Sequence, residues 1–270
     1  MAEKETKNKP KDLIEPVPEE LAKVKDSELS EKDSQKEEAR KESATEIKRK
    51  KEEAKLQSDL DKWAPKTQLG KLVKSGKEKD FDKILLSGKK ILEYQIVDSL
   101  LKLESDLLLI GQAKGKFGGG KRRAWRQTQK KTMEGNVITF SCMAVVGDKK
   151  GHVGIGFGEA KETLPSREKA LRNAKLNIIK VELGYESPEE EKTTPHKVPF
   201  ILEGKCGSIR IKLLPAPRGT GLVVGDECKK ILRLAGIQDV YGVTRGQTRT
   251  TFNVAKACID ALSKTTKILR

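Results

Sequence analysis

The residues with the greatest chemical potential in this sequence form a dense cluster of cations near its middle. Residues 114–131, KGKFGGGKRRAWRQTQKK, contain eight basic side chains, one tryptophan and no acid. Guanidinium groups match phosphate oxygens, and an indole ring can stack on a base. The segment therefore predicts an RNA contact, with a solubilising basic loop as the alternative. Its candidate RNA-binding residues are Lys114, Lys116, Lys121, Arg122, Arg123, Trp125, Arg126, Lys130 and Lys131.

Part of this segment also fits a nucleotide-binding pattern. Residues 115–121 match GxxxxGK and follow a predicted strand, as a phosphate-binding loop does. Arg122, however, stands where a Ser or Thr hydroxyl would coordinate magnesium, and Arg-rich sequence follows instead of an apolar helix. A P-loop nucleotide-binding protein is therefore kept only as an alternative.

A second glycine pattern, Gly154, Gly156 and Gly158 in HVGIGFG, resembles a dinucleotide fingerprint but has the spacing GxGxG. No βαβ unit is predicted around it. A strand face without side chains lets another backbone approach closely. We expect a helix or an RNA backbone to lie against this strand, and no cofactor to bind there.

Basic turns outside the cluster supply further candidates. Residues 215–221 and 244–251 can donate hydrogen bonds to phosphates and 2′-hydroxyls, and a structural turn is the alternative for each. A turn at 148–151 joins two β-rich runs, and one face of the run 208–214 is basic. These segments add Lys149, Lys150, His152, Arg210, Arg218, Arg245 and Arg249 to the candidate RNA-binding residues.

Catalytic and metal-binding residues are sparse. The chain has two histidines, His152 and His196, and four cysteines without a CxxC pair. No zinc site is expected, and the thiols are predicted to be reduced core residues. No Ser, His and Asp set has supporting context. The sequence therefore predicts a protein that is not an enzyme and uses no metal or cofactor.

Charge separates a near-neutral tail from a basic folded part. The chain carries 56 Lys and Arg against 40 Asp and Glu, a net charge of +16. Residues 1–62 contain 16 basic and 18 acidic side chains and no aromatic residue, which leaves +18 on residues 63–270. The tail is predicted to be disordered or a single solvated helix, with partner docking as the alternative. The basic part implies a polyanionic partner.

Targeting signals are not recognised in the sequence. No run approaches the roughly 18 apolar residues of a membrane span, and the N-terminus lacks the apolar core of a signal peptide. A cytoplasmic protein with no membrane partner is expected.

The elements that position the candidates form two predicted domains of an α+β fold. After a basic irregular segment at 63–92, the first domain covers 93–183 and a polar linker covers 184–197. Its elements are a helix over 93–103, a strand over 107–111, two strands flanking 148–151 and a helix over 166–181. The second domain covers 198–270. Its elements are strands over 198–202, 208–214 and 237–243, a helix from Asp226 to Gly236 and a final helix capped by Asn253.

Three runs resemble one known family, over about residues 63–266. The run KCGSIRIKLLPAPRGTGLVVGDECKK and the sequence after it through ALSKT resemble the C-terminal domain of the small-subunit ribosomal protein S-five family, in its archaeal and eukaryotic form. FSCMAVVGDKKGHVGIGFGEAKE is similar to that family's N-terminal domain, which has a fold like double-stranded-RNA-binding modules. WAPKTQLGKLVKSGK resembles the segment that precedes it.

The resemblance implies an α-β-β-β-α domain followed by a small β-β-α-β-α domain, and a structural role in the small ribosomal subunit. It implies binding to small-subunit rRNA, contacts with neighbouring ribosomal proteins, support of assembly and decoding accuracy, and a place near the channel through which mRNA enters. Residues 127–136 and 148–152 would contact rRNA. The loops at Arg218 and 245–249 would belong to the domain that partly contacts proteins. A free RNA chaperone is the other alternative.

One departure from the family puts part of this interface in question. Family members usually begin the second strand with an Arg-rich stretch, whereas this chain has EGNVI at 134–138. The preceding run KFGGGKRRAWR is expected to supply the missing charge.

Overall fold

The computed structural model describes residues 57–58, 60–112, 122–185 and 195–268. The chain divides into two compact units, Met1–Asp61 and Lys62–Arg270, and every element below belongs to the second. Three sets of predictions lie outside the described residues: those for nearly all of the tail, those for Lys114, Lys116 and Lys121, and those for the whole GxxxxGK run. Among the helices of the described part, none has the length and apolar character to cross a membrane.

The segment 63–92 is helical in part, not irregular as predicted. It contains α1 (Gln68–Lys74) and α2 (Phe81–Leu86), and α3 (Tyr94–Leu100) follows. Helices α1 and α2 were not predicted because many lysines interrupt the short apolar pattern whose residues Val73 and Phe81 are buried. The Glu93 carboxylate accepts hydrogen bonds from Trp63 Nε1 at 2.7 Å and from the Thr67 backbone N–H at 2.6 Å. These bonds tie the start of α1 to the start of α3.

The first sheet has the order β1-β3-β4-β5, and β2 also pairs with β3. Its strands are β1 (Glu104–Leu107), β2 (Trp125–Thr132), β3 (Gly135–Gly147), β4 (His152–Ala160) and β5 (Ile178–Lys180). The strand predicted over 107–111 lies three residues earlier in the chain. The apolar run at 107–111 marks buried residues and only partly a strand: Leu108 and Ile110 lie in the core beyond the end of β1.

A helix covers the glycine-rich strand β4. This helix, α4 (Thr163–Leu176), packs so closely that a Cβ on Gly156 would overlap the backbone of Ala174, and one on Gly158 would overlap Ser166. The Ser166 hydroxyl donates to the Gly158 carbonyl at 2.9 Å. We had expected a helix or an RNA backbone to lie against this strand, and the structure shows the helix. The helix ends before the predicted residue 181, because the chain turns back to form β5.

The second sheet has the order β6-β7-β9-β8. Its strands are β6 (Leu202–Cys206), β7 (Ile209–Pro215), β8 (Leu222–Val223) and β9 (Val240–Arg245). The first strand was predicted four residues too early, and β8 was not predicted. The buried side chains of β7 alternate with its exposed cations, as predicted from period-2 hydrophobicity.

Two helices complete this half of the molecule, α5 (Asp226–Ala235) and α6 (Thr251–Ile268). Gly225 is the N-cap of α5, so the predicted cap Asp226 is its first helical residue, and Gly236 ends it as predicted. The last helix begins at Thr251, two residues before the predicted cap Asn253. The fold class is α+β, as predicted.

The two halves share a core. Leu108, Met143 and Val153 of the first half lie in one buried cluster with Leu232 and Ile237 of the second. The surfaces of both sheets are therefore held on one packed body.

Candidate RNA interface

The β2–β3 hairpin extends away from the core. Seven of the eight residues of β2 are exposed, and so are the first four of β3, whereas the last seven of β3 are buried. The two strands pair without interruption from Trp125 opposite Cys142 to Thr132 opposite Gly135. Residues 125–131 of the predicted basic loop therefore belong to a strand. Its polar sequence has no apolar alternation, because neither face of this ribbon packs on the core.

One face of the hairpin combines cations with hydroxyls. Directly opposed residues of an antiparallel pair share a face, and the register places Arg126 opposite Ser141, Thr128 opposite Thr139, and Lys130 opposite Val137. The Thr128 and Thr139 hydroxyls are 2.7 Å apart and share a hydrogen bond. Ser141 is buried, but the exposed cations and the Thr hydroxyls are suited to phosphate oxygens and ribose hydroxyls. We call this the cationic face.

The other face of the hairpin carries rings and amides. The register places Trp125 opposite Cys142, Gln127 opposite Phe140 and Gln129 opposite Ile138, and then Lys131 opposite Asn136. Trp125 is 36% exposed, enough to offer part of its side chain to a base. Aromatic and amide groups can stack on unpaired bases and hydrogen-bond to their edges. We call this the aromatic face.

The resemblance placed Gln127, Thr128 and Gln129 in the expected rRNA contact 127–136 only as part of a range, and Thr139 was not predicted at all. Thr128, Thr139, Gln127 and Gln129 are polar residues in a polar run. Only their pairing in β2 and β3 brings them beside the cations. A period-2 reading of WRQTQKKT against NVITFS would have found the two faces, if both runs had been assigned as strands.

The base of the hairpin is fixed to the core on its β2 side. The Gly111 backbone N–H donates to the Arg123 carbonyl at 2.9 Å, and a Cβ on Gly111 would overlap the Trp125 carbonyl. The side chains of Arg122 and Arg123 are exposed beside this junction. Near it, burial raises the pKa of Glu227, although a hydrogen bond from Leu109 and the Arg122 charge oppose the shift.

The tip of the hairpin is apolar and acidic instead of cationic. Met133 is fully exposed at the turn, beside the acidic Glu134. Val137 and Ile138 are also exposed near the tip. The positive charge of the hairpin is thus carried along its strands. The tip contains EGNVI at 134–138, where the resemblance had led us to expect an Arg-rich stretch.

The β3–β4 hairpin, which was expected to contact rRNA, packs its backbone against α5. Its Lys149 backbone N–H donates to the Leu234 carbonyl of α5 at 2.9 Å, and its Gly151 N–H donates to the Ala235 carbonyl at 3.1 Å. The Lys149 ammonium pairs with Glu104 at 2.6 Å. Of the two lysines, Lys150 projects to solvent without an ion pair among the described residues.

His152 is buried, so its ring does not face a solvent-borne ligand. Its Nδ1 lies 2.6 Å from Asp148 Oδ2 and its Nε2 lies 2.7 Å from Asp82 Oδ1, and only 8% of the residue is exposed. Burial opposes protonation, but the hydrogen bonds to the two carboxylates outweigh it and raise the pKa of the imidazole. Both ring nitrogens are occupied, so His152 acts as a clasp between α2 and the sheet.

The basic turns of the second half remain exposed. Arg218, Arg245 and Arg249 all project to solvent. The turn at Arg218 is closed by the Thr220 hydroxyl, which donates to the Pro217 carbonyl at 2.8 Å. Each turn thus has a structural role and still offers its guanidinium. Arg210 lies on β7 directly opposite Arg245 on β9.

The structure shows no clustered metal ligands in the described ranges. No three His, Cys, Asp or Glu residues come together there in a way that could hold an ion. All four cysteines are free thiols, and Cys142, Cys228 and Cys258 are buried.

Comparison with known proteins now gives this arrangement a family. The family model described as "Ribosomal protein S5, N-terminal domain" matches residues 124–182. The model described as "Ribosomal protein S5, C-terminal domain" matches residues 204–270. These ranges include β2 to β5 in the first half and most of the second half.

Curated relatives match over a longer range. The small ribosomal subunit protein uS5 of Nanoarchaeum equitans is 46% identical over 211 residues, which are 78% of this chain and 90% of that protein. The uS5 protein of Thermoplasma volcanium is 43% identical over 77% of this chain and 88% of its own length. That of Aeropyrum pernix is 44% identical over 77% and 89%. With this identity over nearly the whole length of those relatives, the chain belongs to the S-five (uS5) family of ribosomal proteins.

Proposed function

We propose that this protein is a structural component of the small ribosomal subunit and binds rRNA through its β2–β3 hairpin. It works in the cytoplasm, within the ribosome, and is not an enzyme. The observation that carries the proposal is the exposed hairpin with a cationic and an aromatic face, attached to two halves that share one core. Its chemistry suits a folded RNA, in which phosphates and unpaired bases lie close together.

The cationic face would supply affinity, and the aromatic face would supply local discrimination. Each phosphate neutralised by Arg126 or Lys130 releases condensed counterions, so binding weakens as salt rises. Stacking on Trp125 would not depend on salt in this way, because it releases no condensed counterions. Arg122 and Arg123 at the hairpin base extend the charge, and Lys114, Lys116 and Lys121 would extend it further along the sequence.

The family resemblance supports a finer assignment as well. We place the protein near the channel through which mRNA enters, beside neighbouring small-subunit proteins, with a role in assembly and decoding accuracy. The turns at Arg218 and Arg249 are candidates for a second contact. The domain division 93–183, linker 184–197 and 198–270 is part of the same proposal. The comparisons favour neither a P-loop nucleotide-binding protein nor a free RNA chaperone.

Binding of the full chain to purified small-subunit rRNA, measured across a salt series, tests the hairpin assignment. In the double variant Arg126→Ala, Lys130→Ala, the negative slope of log affinity against log salt should become shallower by roughly 1.5, because each phosphate contact contributes about 0.7 to 0.9 to its magnitude. The matched control removes two exposed lysines of α6, Lys256→Ala and Lys267→Ala. Equal slopes for the two variants would remove the hairpin from the interface.

Sedimentation of a cell lysate through a sucrose gradient tests the wider assignment. The chain should be recovered in the small-subunit peak. Recovery only in the slow, ribosome-free fractions would favour the free RNA chaperone and contradict the proposed function.

A further inference from the structure

The turn that joins β2 to β3 presents two side chains beyond the last pair of strand residues. Thr132 pairs with Gly135, so the loop between them consists of Met133 and Glu134. The Thr132 hydroxyl donates a hydrogen bond to the Gly135 carbonyl at 2.8 Å. Both loop residues are exposed, and Met133 is exposed over its full surface. The turn is therefore a narrow projection whose backbone is held in place before any ligand binds.

Apolar side chains flank this projection on both faces of the ribbon. Val137 lies opposite Lys130 on the cationic face, and Ile138 lies opposite Gln129 on the aromatic face. Both apolar side chains are exposed. A stable protein interface takes about 20 to 30 residues from each partner, and three apolar side chains at the end of a ribbon fall far short of that. The tip is therefore suited to insertion into a narrow site and not to docking on a broad protein surface.

The carboxylate of Glu134 limits what the tip can bind. Within the described ranges it makes no ion pair and no side-chain hydrogen bond, although Lys130 and Lys131 belong to the same ribbon. A phosphate brought to the tip would be repelled by this negative charge. The amino and imino groups of a base can instead donate hydrogen bonds to a carboxylate. The chemistry of the tip therefore favours a base edge over the RNA backbone.

Among the RNA bases, guanine matches a carboxylate best. Its Watson–Crick edge carries two adjacent donors, the N1–H and the N2 amino group, and a carboxylate has two oxygens to receive them. Cytosine and adenine place a ring acceptor beside their amino group, and uracil flanks its N3–H with two carbonyl oxygens. Each of these acceptors would repel the carboxylate. The edge of guanine is free for such a contact where the base is unpaired.

Met133 can supply the apolar contact that holds such a base. Proteins that bind nucleic acids use methionine among the apolar wedges that they insert between bases, and a thioether makes favourable contacts with aromatic rings. Behind the tip, Lys130 and Lys131 are exposed neighbours on one strand, so they project from opposite faces of the ribbon. Their ammonium groups are suited to the phosphates on either side of an inserted tip.

We propose that the tip of the β2–β3 hairpin binds an unpaired guanine, with Glu134 accepting hydrogen bonds from its N1–H and N2 amino group and Met133 packing on the base. This inference rests on the proposed function, because the RNA is taken to be the small-subunit rRNA that the hairpin binds. It gives the hairpin a base-specific contact at its end, in addition to the phosphate contacts along its strands.

Chemical footprinting of small-subunit rRNA with the full chain bound tests the proposal. Kethoxal modifies N1 and N2 of unpaired guanines, the two atoms that Glu134 would cover. The wild-type chain should protect one guanine, and Glu134→Gln should raise the reactivity of that guanine roughly fivefold or more, because a bidentate base contact loses one acceptor. Met133→Ala should expose the same guanine. The matched control Glu168→Gln removes an exposed carboxylate of α4 and should leave the protection unchanged.

Photo-cross-linking in intact small subunits provides a second measurement. The variant Met133→p-benzoylphenylalanine should form an adduct with rRNA at or beside the protected guanine. An adduct with a protein, no guanine whose protection depends on Glu134, or tip-dependent protection of adenine or cytosine from dimethyl sulfate would each overturn the inference. Failure of the wild-type chain to bind the rRNA would overturn the proposed function as well. Normal rRNA binding by Glu134→Gln with an unchanged footprint would overturn this inference alone.

Discussion

The two hairpins that share β3 both carry adjacent lysines but have different surroundings. Both are basic and both were expected to contact rRNA. The β2–β3 hairpin runs past the end of the core and leaves its side chains in solvent, whereas the β3–β4 hairpin gives its backbone to α5 and its histidine to two carboxylates. The comparison shows that the packing of a hairpin decides how many of its polar groups remain exposed, even where both hairpins carry lysines.

The largest expected difference between the hairpins is in the cost of a methyl group at the turn. Gly135 and Gly151 have φ angles of 121° and 105°, but a Cβ meets nothing within 4 Å at Gly135 and lies 2.7 Å from the Val181 carbonyl at Gly151. Gly135→Ala should cost about 1 to 2 kcal/mol for the left-handed backbone alone. Gly151→Ala should cost roughly 3 kcal/mol or more, because overpacking is added. Urea unfolding of both variants measures the two free energies.

Equal costs for these two variants would mean that the β3–β4 hairpin is not held against its neighbours. The two alanine variants serve as each other's control, since the backbone strain at the two turns is alike.

A smaller difference is expected in RNA affinity. Removing Arg126 and Lys130 from the open hairpin should weaken binding to small-subunit rRNA about tenfold at moderate salt, because two phosphate contacts are lost. Removing Lys149 and Lys150 from the docked hairpin should have less than half that effect on the binding free energy, because Lys149 already pairs with Glu104. Filter binding at fixed salt compares the two double variants. A reversed order would contradict the assignment of the interface.

The docked hairpin should also give the protein a pH-dependent stability that the open one lacks. The pKa of His152 is raised, so its contribution is fully present below the unfolded value of about 6.5 and is lost as pH rises through the folded value. The pKa values of Asp82 and Asp148 are lowered by their hydrogen bonds to His152, after burial is overcome, so their contribution is lost as the solution is acidified. The clasp is therefore strongest in mildly acidic solution.

Unfolding free energies measured between pH 5 and 9 test the clasp, with Lys180 and Glu182 as the other charged groups nearby. The wild-type protein should lose stability as pH rises through neutrality, and His152→Gln should flatten that dependence. An unchanged profile in the variant would show that another group is responsible.

The smallest expected effect lies within the open hairpin. Thr128→Val removes the hydroxyl pair with Thr139 and should cost about 0.5 to 1 kcal/mol, as for a partly buried cross-strand hydrogen bond. Since the ribbon has few contacts with the core, the loss should appear as faster amide exchange of β2 with little change in global unfolding. Slower unfolding or unchanged exchange would argue against a locally stabilised ribbon.

Much of the fold could be predicted where one face of an element is buried. The alternation in β7 and the stop at Gly236 each follow from a single local rule. Strands were predicted at the wrong residues where hydrophobicity does not coincide with strand structure. The apolar run at 107–111 is buried but lies mostly outside β1, and the polar run of β2 is a strand but is mostly exposed. The helices α1 and α2 were missed because lysines dilute their apolar faces.

The sequence by itself determined the family, the charge of the folded part and the glycine pattern of β4, since each depends on residue types at fixed spacing. Only the tertiary structure decided which basic residues remain available. His152 is held in a clasp by Asp82, which lies 70 residues away in the sequence, and Arg126 stays exposed because the rest of the described fold leaves its part of the β2–β3 ribbon uncovered. Neighbouring residues along the chain cannot encode that choice, because it is made by whatever the folded chain packs beside them.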